Sequence, residues 1–153
     1  MTTEIPKFRA YADSVIDRLI KEYGVGYIKM DYNIEPGIGT DLHADSAGDG
    51  MLSHERAYLK WLEAVFKRYP DLVIENCSSG GLRMDYAMLS RYSIQSTSDQ
   101  DDYRYYCTIA ANSPSALTPE QSAIWSYPLR EGDREEVVFN MVNAMLLRIH
   151  QSV

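Results

Sequence analysis

The sequence predicts an α/β fold in which parallel strands are joined by helices. Amphipathic helical segments and short apolar segments alternate along the 153 residues, a pattern typical of parallel strands with helical crossovers. Three of the predicted strands are followed by polar clusters, and α/β proteins bind ligands at that edge of the sheet. Either an open doubly wound sheet or part of a (β/α)8 barrel fits this order. Since a complete barrel needs about 250 residues, this sequence could supply roughly half of one.

The first three elements follow from hydrophobic spacing and from stop signals. Residues 7–23 have apolar side chains at the spacing of an amphipathic helix, which Gly24 ends. Residues 25–31 form a short apolar strand. After a long polar loop, Ser53 could cap a second helix, which Pro70 ends.

The next three elements are a strand, a short helical stretch and a weaker strand. Residues 72–77 form a compact, mainly apolar strand. The turn at 78–81 contains two glycines, and a short helical stretch continues through Leu89. Residues 92–98 are interpreted as a strand, although Ser, Thr and Gln outnumber their apolar residues.

The last three elements are two helices with a short strand between them. Acidic residues at 99–102 open a helix, because the N-terminal end of a helix dipole favours negative charge. Residues 123–127 form the strand. Asp133 and Glu136 form a capping box for the final helix, whose apolar pattern continues to Ile149.

Composition and charge narrow the function classes. The chain is 45% hydrophobic and 24% charged, as in ordinary soluble domains, and its net charge of -7 argues against partners such as nucleic acid or an anionic membrane. It contains no apolar run long enough to span a bilayer, and its first residues lack the pattern of a signal peptide. Cys77 and Cys107 lie thirty residues apart, which indicates neither a zinc knuckle nor a disulfide framework. We therefore expect a cytoplasmic protein.

The end of the first strand is the first candidate site. Because side chains alternate along a strand, Lys29, Asp31 and Asn33 share one face. Such a face is a poor core, but an ammonium group there can keep a neighbouring carboxyl ionised. The alternative interpretation is a half-buried edge strand with one solvated face.

Asp99 offers a second carboxylate after another strand. Two carboxylates brought together from two strand ends are what glycoside cleavage requires. At a separation of about 5 Å, one attacks the anomeric carbon while the other protonates the leaving oxygen, and the configuration is retained. Asp31 and Asp99 therefore form a candidate catalytic pair.

Three motifs extend this hypothesis to a known family. Residues 27–33, Tyr-Ile-Lys-Met-Asp-Tyr-Asn, resemble the Tyr-Ile-Lys-Trp-Asp-Met-Asn motif of glycoside hydrolase family 36, which includes bacterial α-galactosidases. Residues 75–85 resemble its Glu-Ser-Cys-Ser-Ser-Gly-Gly-Gly-Arg-Phe-Asp motif, and residues 97–102 resemble its Thr-Ser-Asp-x-x-Asp motif. The three motifs occur in the family's order and cover most of the chain.

The resemblance implies a role for individual residues. Asp31 matches the catalytic nucleophile and Asp99 the general acid/base, and no metal or organic cofactor takes part. The matched substrate-binding residues are Lys29, Asn33, Cys77 and Gly80. Asp102 and Arg83 are expected to support the site.

The resemblance also implies an architecture. The family fold is a (β/α)8 barrel whose nucleophile ends the fourth strand and whose acid/base follows the sixth. Residues 1–153 are then expected to form a partial barrel, about strands 4 to 7 with their helices, without the family's N-terminal β-sandwich and early barrel strands. Met30 and Ser96 stand where the family commonly has Trp, so the wall of the site is expected to be less aromatic.

The expected function is that of a retaining α-galactosidase that cleaves terminal α-galactosides and forms a homo-oligomer as a full-length protein. Alternatives are an α-N-acetylgalactosaminidase or another α-glycosidase of the family, and an inactive barrel fragment that binds sugar or needs a partner chain. An open phosphate-binding domain is a further alternative, although the 78–81 turn lacks a G-x-G-x-x-G pattern and a P-loop lysine. The loop cluster Asp41, His43 and Asp45 resembles a metal-ligand set, but a solvated or substrate-side loop is favoured.

Overall fold

A computed structural model describes residues 6–35 and 37–151 of the chain. Its helices are α1 (Pro6–Lys21), α2 (Ala47–Arg68), α3 (Tyr86–Leu89), α4 (Tyr103–Asn112) and α5 (Arg134–Met145). Its strands are β1 (Tyr27–Asp31), β2 (Val73–Cys77), β3 (Ile94–Ser96), β4 (Ser122–Ser126) and β5 (Arg148–Gln151). A short 3₁₀ helix at Ser113–Ser115 follows α4.

The five strands form one sheet in the order β1-β2-β3-β4-β5. The pairs from β2 to β5 are parallel, with Ser96 opposite Ala123 and Trp125 opposite His150. The predicted α/β fold with parallel strands is therefore confirmed. Strand order follows chain order without reversal, as in a (β/α)8 barrel, whereas a doubly wound sheet reverses its order at a switch point.

The end of the chain differs from the prediction. The final helix was expected to continue to Ile149, but α5 ends at Met145 and Arg148–Gln151 form a fifth strand. His150 lies in this strand. Pairing with β4 supplies the main-chain partners of these residues, and such tertiary contacts outweigh the local helical spacing. The sheet thus has one strand more than the four that were predicted.

The structure confirms one predicted helix cap and corrects another. Asp133 accepts a hydrogen bond from the Glu136 main-chain nitrogen at 2.9 Å, which confirms the predicted start of α5. The prediction that Ser53 caps the second helix is wrong. Ser46 caps α2 instead, because its hydroxyl accepts the Asp49 main-chain N–H at 3.1 Å and the helix already includes Ser53.

Contacts between residues divide the chain into two compact units. The first unit comprises residues 1–28 and 34–73. In this unit polar side chains tie α1 to α2. Asp13 accepts hydrogen bonds from Trp61 at 3.0 Å and from Arg68 at 2.6 Å. Asp17 accepts one from the Tyr69 hydroxyl at 2.7 Å. These contacts fix the two helices side by side.

The second unit comprises residues 29–33 and the chain from 74 onward. Its core consists of Tyr106 and Ala110 of α4, Ile124 of β4 and Ala144 of α5. Helices α4 and α5 thereby cover one face of the sheet at β4. All the candidate site residues belong to this unit. Among the helices of the described ranges, none combines the length and the hydropathy required to cross a membrane.

Candidate active site

The predicted alternation along β1 is present in the structure. Lys29 and Asp31 are exposed, whereas Met30 between them is half-buried. Met30 faces the other way, and its Sδ lies 3.8 Å from the Tyr92 hydroxyl. The ammonium and the carboxylate therefore share one face at the end of the strand.

Hydrogen bonds keep the Asp31 carboxylate ionised. A hydrogen bond from Asn33 is the main reason that the pKa of Asp31 lies below its ordinary value. Burial opposes this shift, whereas the Cys77 thiol and the Lys29 charge support it. The Asn33 side-chain oxygen in turn accepts the Ser79 main-chain N–H at 2.7 Å. The residue after the strand thus both stabilises the charge and connects it to the turn after β2.

The turn after β2 lies directly against the segment that carries Asp99. Gly80 has a φ of +76°, and a Cβ atom built there would lie 2.5 Å from the Ser98 Cα and 2.8 Å from the Asp99 nitrogen. A Cβ atom on Gly81 would lie 2.8 Å from the Thr97 carbonyl oxygen. Side chains do not fit at these distances, and the left-handed conformation at residue 80 favours glycine. The 78–81 turn therefore touches both the Asn33 end of the site and the Asp99 end.

A buried tyrosine supports the Asp99 segment from α4. The Tyr106 hydroxyl lies 3.0 Å from Thr97 Oγ1 and accepts the Trp125 main-chain N–H at 3.1 Å. Burial raises the pKa of the Tyr106 phenol, and the Asp99 charge acts in the same direction. Burial likewise raises the pKa of Tyr127, with Asp99 among the charges that add to the shift. Two tyrosines, Tyr106 of α4 and Tyr127 after β4, are therefore near enough to feel the charge of the second carboxylate.

Lys29 reaches a carboxylate on the neighbouring strand. Its Nζ lies 3.3 Å from Glu75 Oε1, and the Glu75 side chain is only 1% exposed. The same ammonium lies 4.8 Å from the centroid of the Trp125 ring. Sequence reasoning assigned no role to Glu75 or Trp125. An available signal was the charge of Glu75 inside an otherwise uncharged strand, since buried acids are rare unless paired.

The remaining predicted residues are placed around this centre. Cys77 is buried at the end of β2, and burial raises the pKa of its thiol. Arg83 donates to the Tyr32 carbonyl oxygen at 3.1 Å and stacks on the Tyr32 ring. Asp102 caps α4 through the Arg104 main-chain N–H at 2.9 Å and pairs with the Arg104 guanidinium. These contacts hold the segments that follow β1 and β3.

The loop cluster of Asp41, His43 and Asp45 precedes α2. Over residues 6–35 and 37–151, no three His, Cys, Asp or Glu side chains are arranged to hold a metal ion. The Asp45 main-chain N–H donates to the Asp49 carboxylate at 3.1 Å, beside the start of α2. This main-chain contact joins the end of the loop to the first turn of α2.

A family model, sequence relatives and solved structures all relate this chain to α-galactosidases. The melibiase family model matches residues 3–124. An α-galactosidase from Escherichia coli is 30% identical over 102 residues, which are 67% of this chain and 14% of that enzyme. The crystal structure of the GH36 α-galactosidase AgaA from Geobacillus stearothermophilus superposes with a TM-score of 0.83 at 17% identity and covers all of this chain. A variant of AgaA in complex with raffinose superposes with a TM-score of 0.80, also at 17% identity.

The chain spans a minor part of these proteins, 14% of the Escherichia coli enzyme and 22% of AgaA. The structures are too distant in sequence to show more than a common fold, which agrees with the parallel sheet described above. The family model covers most of the chain and therefore shows which family the chain belongs to. The resemblance to glycoside hydrolase family 36 is thereby confirmed, and the chain belongs to the melibiase family.

Proposed function

We propose that this chain carries catalytic residues of a retaining α-galactosidase, with Asp31 as nucleophile and Asp99 as general acid/base. The observation that carries the proposal is the ionised Asp31 carboxylate, held by Asn33 and linked through the 78–81 turn to the Asp99 segment. A nucleophile must stay ionised at working pH, and the lowered pKa of Asp31 meets that requirement.

The proposed reaction is a double displacement. The Asp31 carboxylate attacks the anomeric carbon as the glycosidic bond breaks, and Asp99 gives its proton to the departing oxygen. Asp99 then takes a proton from water, which attacks the same carbon and releases Asp31. Two inversions leave the sugar with its original configuration. The 78–81 turn contacts both Asn33 and the main chain of Asp99, which supports the assignment of Asp31 and Asp99 to one site.

The proposed substrate is a terminal α-galactoside, bound by Lys29, Asn33, Cys77 and Gly80. The names of the relatives support this sugar, as does the raffinose complex of AgaA. Residues 1–153 would then form part of a (β/α)8 catalytic domain, in a protein that forms a homo-oligomer. The two free cysteines of this chain support a cytoplasmic location, because cytosolic thiols stay reduced. Asp31 and Asp99 would cleave an α-N-acetylgalactosaminide by the same reaction if the sugar pocket admits an acetamido group.

Azide rescue distinguishes the two carboxylates. In the natural full-length polypeptide, Asp31→Ala should lower the hydrolysis of 4-nitrophenyl α-galactoside by on the order of 10³-fold or more, and azide should restore turnover with the β-galactosyl azide as product. Asp99→Ala should lose about 10²- to 10⁴-fold with an unactivated galactoside. Azide should then give the α-galactosyl azide, because it attacks the galactosyl-enzyme.

The exposed Asp71, outside the candidate site, provides a matched control. Asp71→Ala should leave turnover unchanged. If Asp31→Ala retains full activity, or if both azide products have the same configuration, the assignment of roles is wrong. A wild-type protein that binds galactose without any turnover would instead favour the sugar-binding alternative.

A further inference from the structure

Glu75 is a buried carboxylate that the two-carboxylate reaction does not use. It lies on β2 between residues of two other strands, Lys29 of β1 and His150 of β5. Its Oε1 is 3.3 Å from the Lys29 Nζ, and its Oε2 is 3.7 Å from the His150 Nδ1. Since only 1% of its side chain is exposed, an ionised Glu75 needs nearby positive charge or hydrogen bonds.

Lys29 lies where it can supply that charge. Burial lowers the pKa of the His150 imidazole below its ordinary value, although the charge of Glu75 opposes the shift. Burial therefore disfavours the charged imidazole, and the Lys29 ammonium lies closer to the Glu75 carboxylate, at 3.3 Å against 3.7 Å for the imidazole. The Lys29 ammonium is thus a charged neighbour of the buried carboxylate, on the adjacent strand.

Trp125 holds the same ammonium from another side. The Lys29 Nζ lies 4.8 Å from the indole centroid, within the range of a cation–π contact. The indole is itself fixed, because Tyr127 stacks on it at 5.7 Å and His150 meets it edge-on at 5.0 Å. A lysine side chain has many rotamers, so an ammonium remains in one place only where several partners fix it.

Lys29 is also drawn toward Asp31, whose pKa its charge helps to lower. Two carboxylates thus share one ammonium: Asp31 at the exposed end of β1 and the buried Glu75 on the next strand. Without the second attraction, Lys29 would be free to form a close ion pair with Asp31. Such a pair would occupy the nucleophile and withdraw the ammonium from a sugar hydroxyl.

We propose that Glu75 is a positioning residue, which holds the Lys29 ammonium between Trp125 and Asp31 so that it can bind a sugar hydroxyl while Asp31 stays available for attack. The inference rests on the proposed function, because it takes Lys29 to be a substrate-binding residue. Glu75 itself contacts no reacting atom in this scheme. Its effect on the reaction passes through Lys29.

A double-mutant cycle tests this dependence in the natural full-length protein. Glu75→Gln keeps the size of the side chain and removes its charge, and Lys29→Met removes the ammonium. We expect Glu75→Gln to raise KM for 4-nitrophenyl α-galactoside and lower kcat/KM by about 10- to 100-fold, the effect of misplacing a binding group. In the Lys29→Met background the same change should cost less than about twofold, because the positioned group is already absent. An equal loss in both backgrounds would overturn the proposal.

A second measurement needs no turnover, and its decisive part uses only the wild-type protein. In the wild-type protein, a positioned Lys29 ammonium should give a resolved ¹H–¹⁵N signal with a nuclear Overhauser contact to the Trp125 indole protons. Loss of that signal in a folded Glu75→Gln protein supports the proposal, whereas absence of the contact in the wild type overturns it. A wild-type protein that shows the contact but does not hydrolyse galactosides would contradict the proposed function and leave the positioning intact.

Discussion

Gly80 packs against the main chain of Asp99, so closely that a Cβ atom at residue 80 would lie 2.8 Å from the Asp99 nitrogen. The placement of the proposed acid/base segment therefore depends on a residue without a side chain. The same turn receives Asn33 through the Ser79 main-chain N–H. One four-residue turn thus connects the surroundings of both proposed catalytic carboxylates.

Replacement of Gly80 by Ala should destabilise the protein and displace Asp99. The new Cβ would collide with main-chain atoms that cannot rotate away, and the φ of +76° disfavours alanine. We expect a loss of about 2 kcal/mol or more in the free energy of unfolding, measured by urea titration, with a parallel fall in kcat. Gly26→Ala is the matched control, because nothing lies within 4 Å of its Cβ position. Similar losses in both variants would contradict the contact.

Replacement of Asn33 by Ala should raise the pKa of Asp31 toward its ordinary value of 3.8. A depressed pKa in the folded state stabilises the protein above the unfolded-state pKa, and this stability is lost as the pH falls through the folded-state pKa. The variant should therefore lose stability near neutral pH and show its acidic limb of kcat/KM at higher pH. A ¹³C titration of the carboxyl gives the pKa directly. Asn112→Ala, at an exposed site on α4, should leave the titration unchanged, and an unchanged curve for Asn33→Ala would refute the prediction.

Replacement of Tyr106 by Phe should cost about 1–3 kcal/mol of folding free energy. The change removes the acceptor of the Trp125 main-chain N–H and the partner of Thr97 Oγ1 in a buried region. Tyr105 lies on the same helix with 66% of its surface exposed, so Tyr105→Phe should change stability by less than about 0.5 kcal/mol. Thermal unfolding of the two variants provides the comparison. Equal midpoints would show that the buried hydroxyl contributes nothing.

The two cysteines should differ in their reaction with a thiol reagent at pH 8. Cys77 is 2% exposed and burial raises its pKa, whereas Cys107 on α4 is only partly buried. Because the thiolate is the reactive form, Cys107 should react fast with the reagent, whereas Cys77 should react only on unfolding. Cys107→Ser should remove the fast phase. A fast phase that survives in this variant would mean that Cys77 is accessible.

The sequence correctly predicted features that depend on residues close together in the chain. The alternating pattern at residues 29–31 placed Lys29 and Asp31 on one face, as observed. Asp133 indicated the start of a helix because capping involves residues only three positions apart. The final strand was missed for the opposite reason: residues 148–151 fit a helical spacing, and only pairing with β4 makes them a strand.

By itself, the sequence determined the alternation of helices and strands, the family, and the two carboxylates proposed for the chemistry, since periodicity and motifs are properties of neighbouring residues. Tertiary structure decided which distant groups meet. Gly80 lies against Asp99, and Lys29 lies between Glu75 and Trp125, because parallel strands bring residues far apart in the chain to one edge of the sheet. Distances across that edge depend on register and twist, which no local pattern encodes.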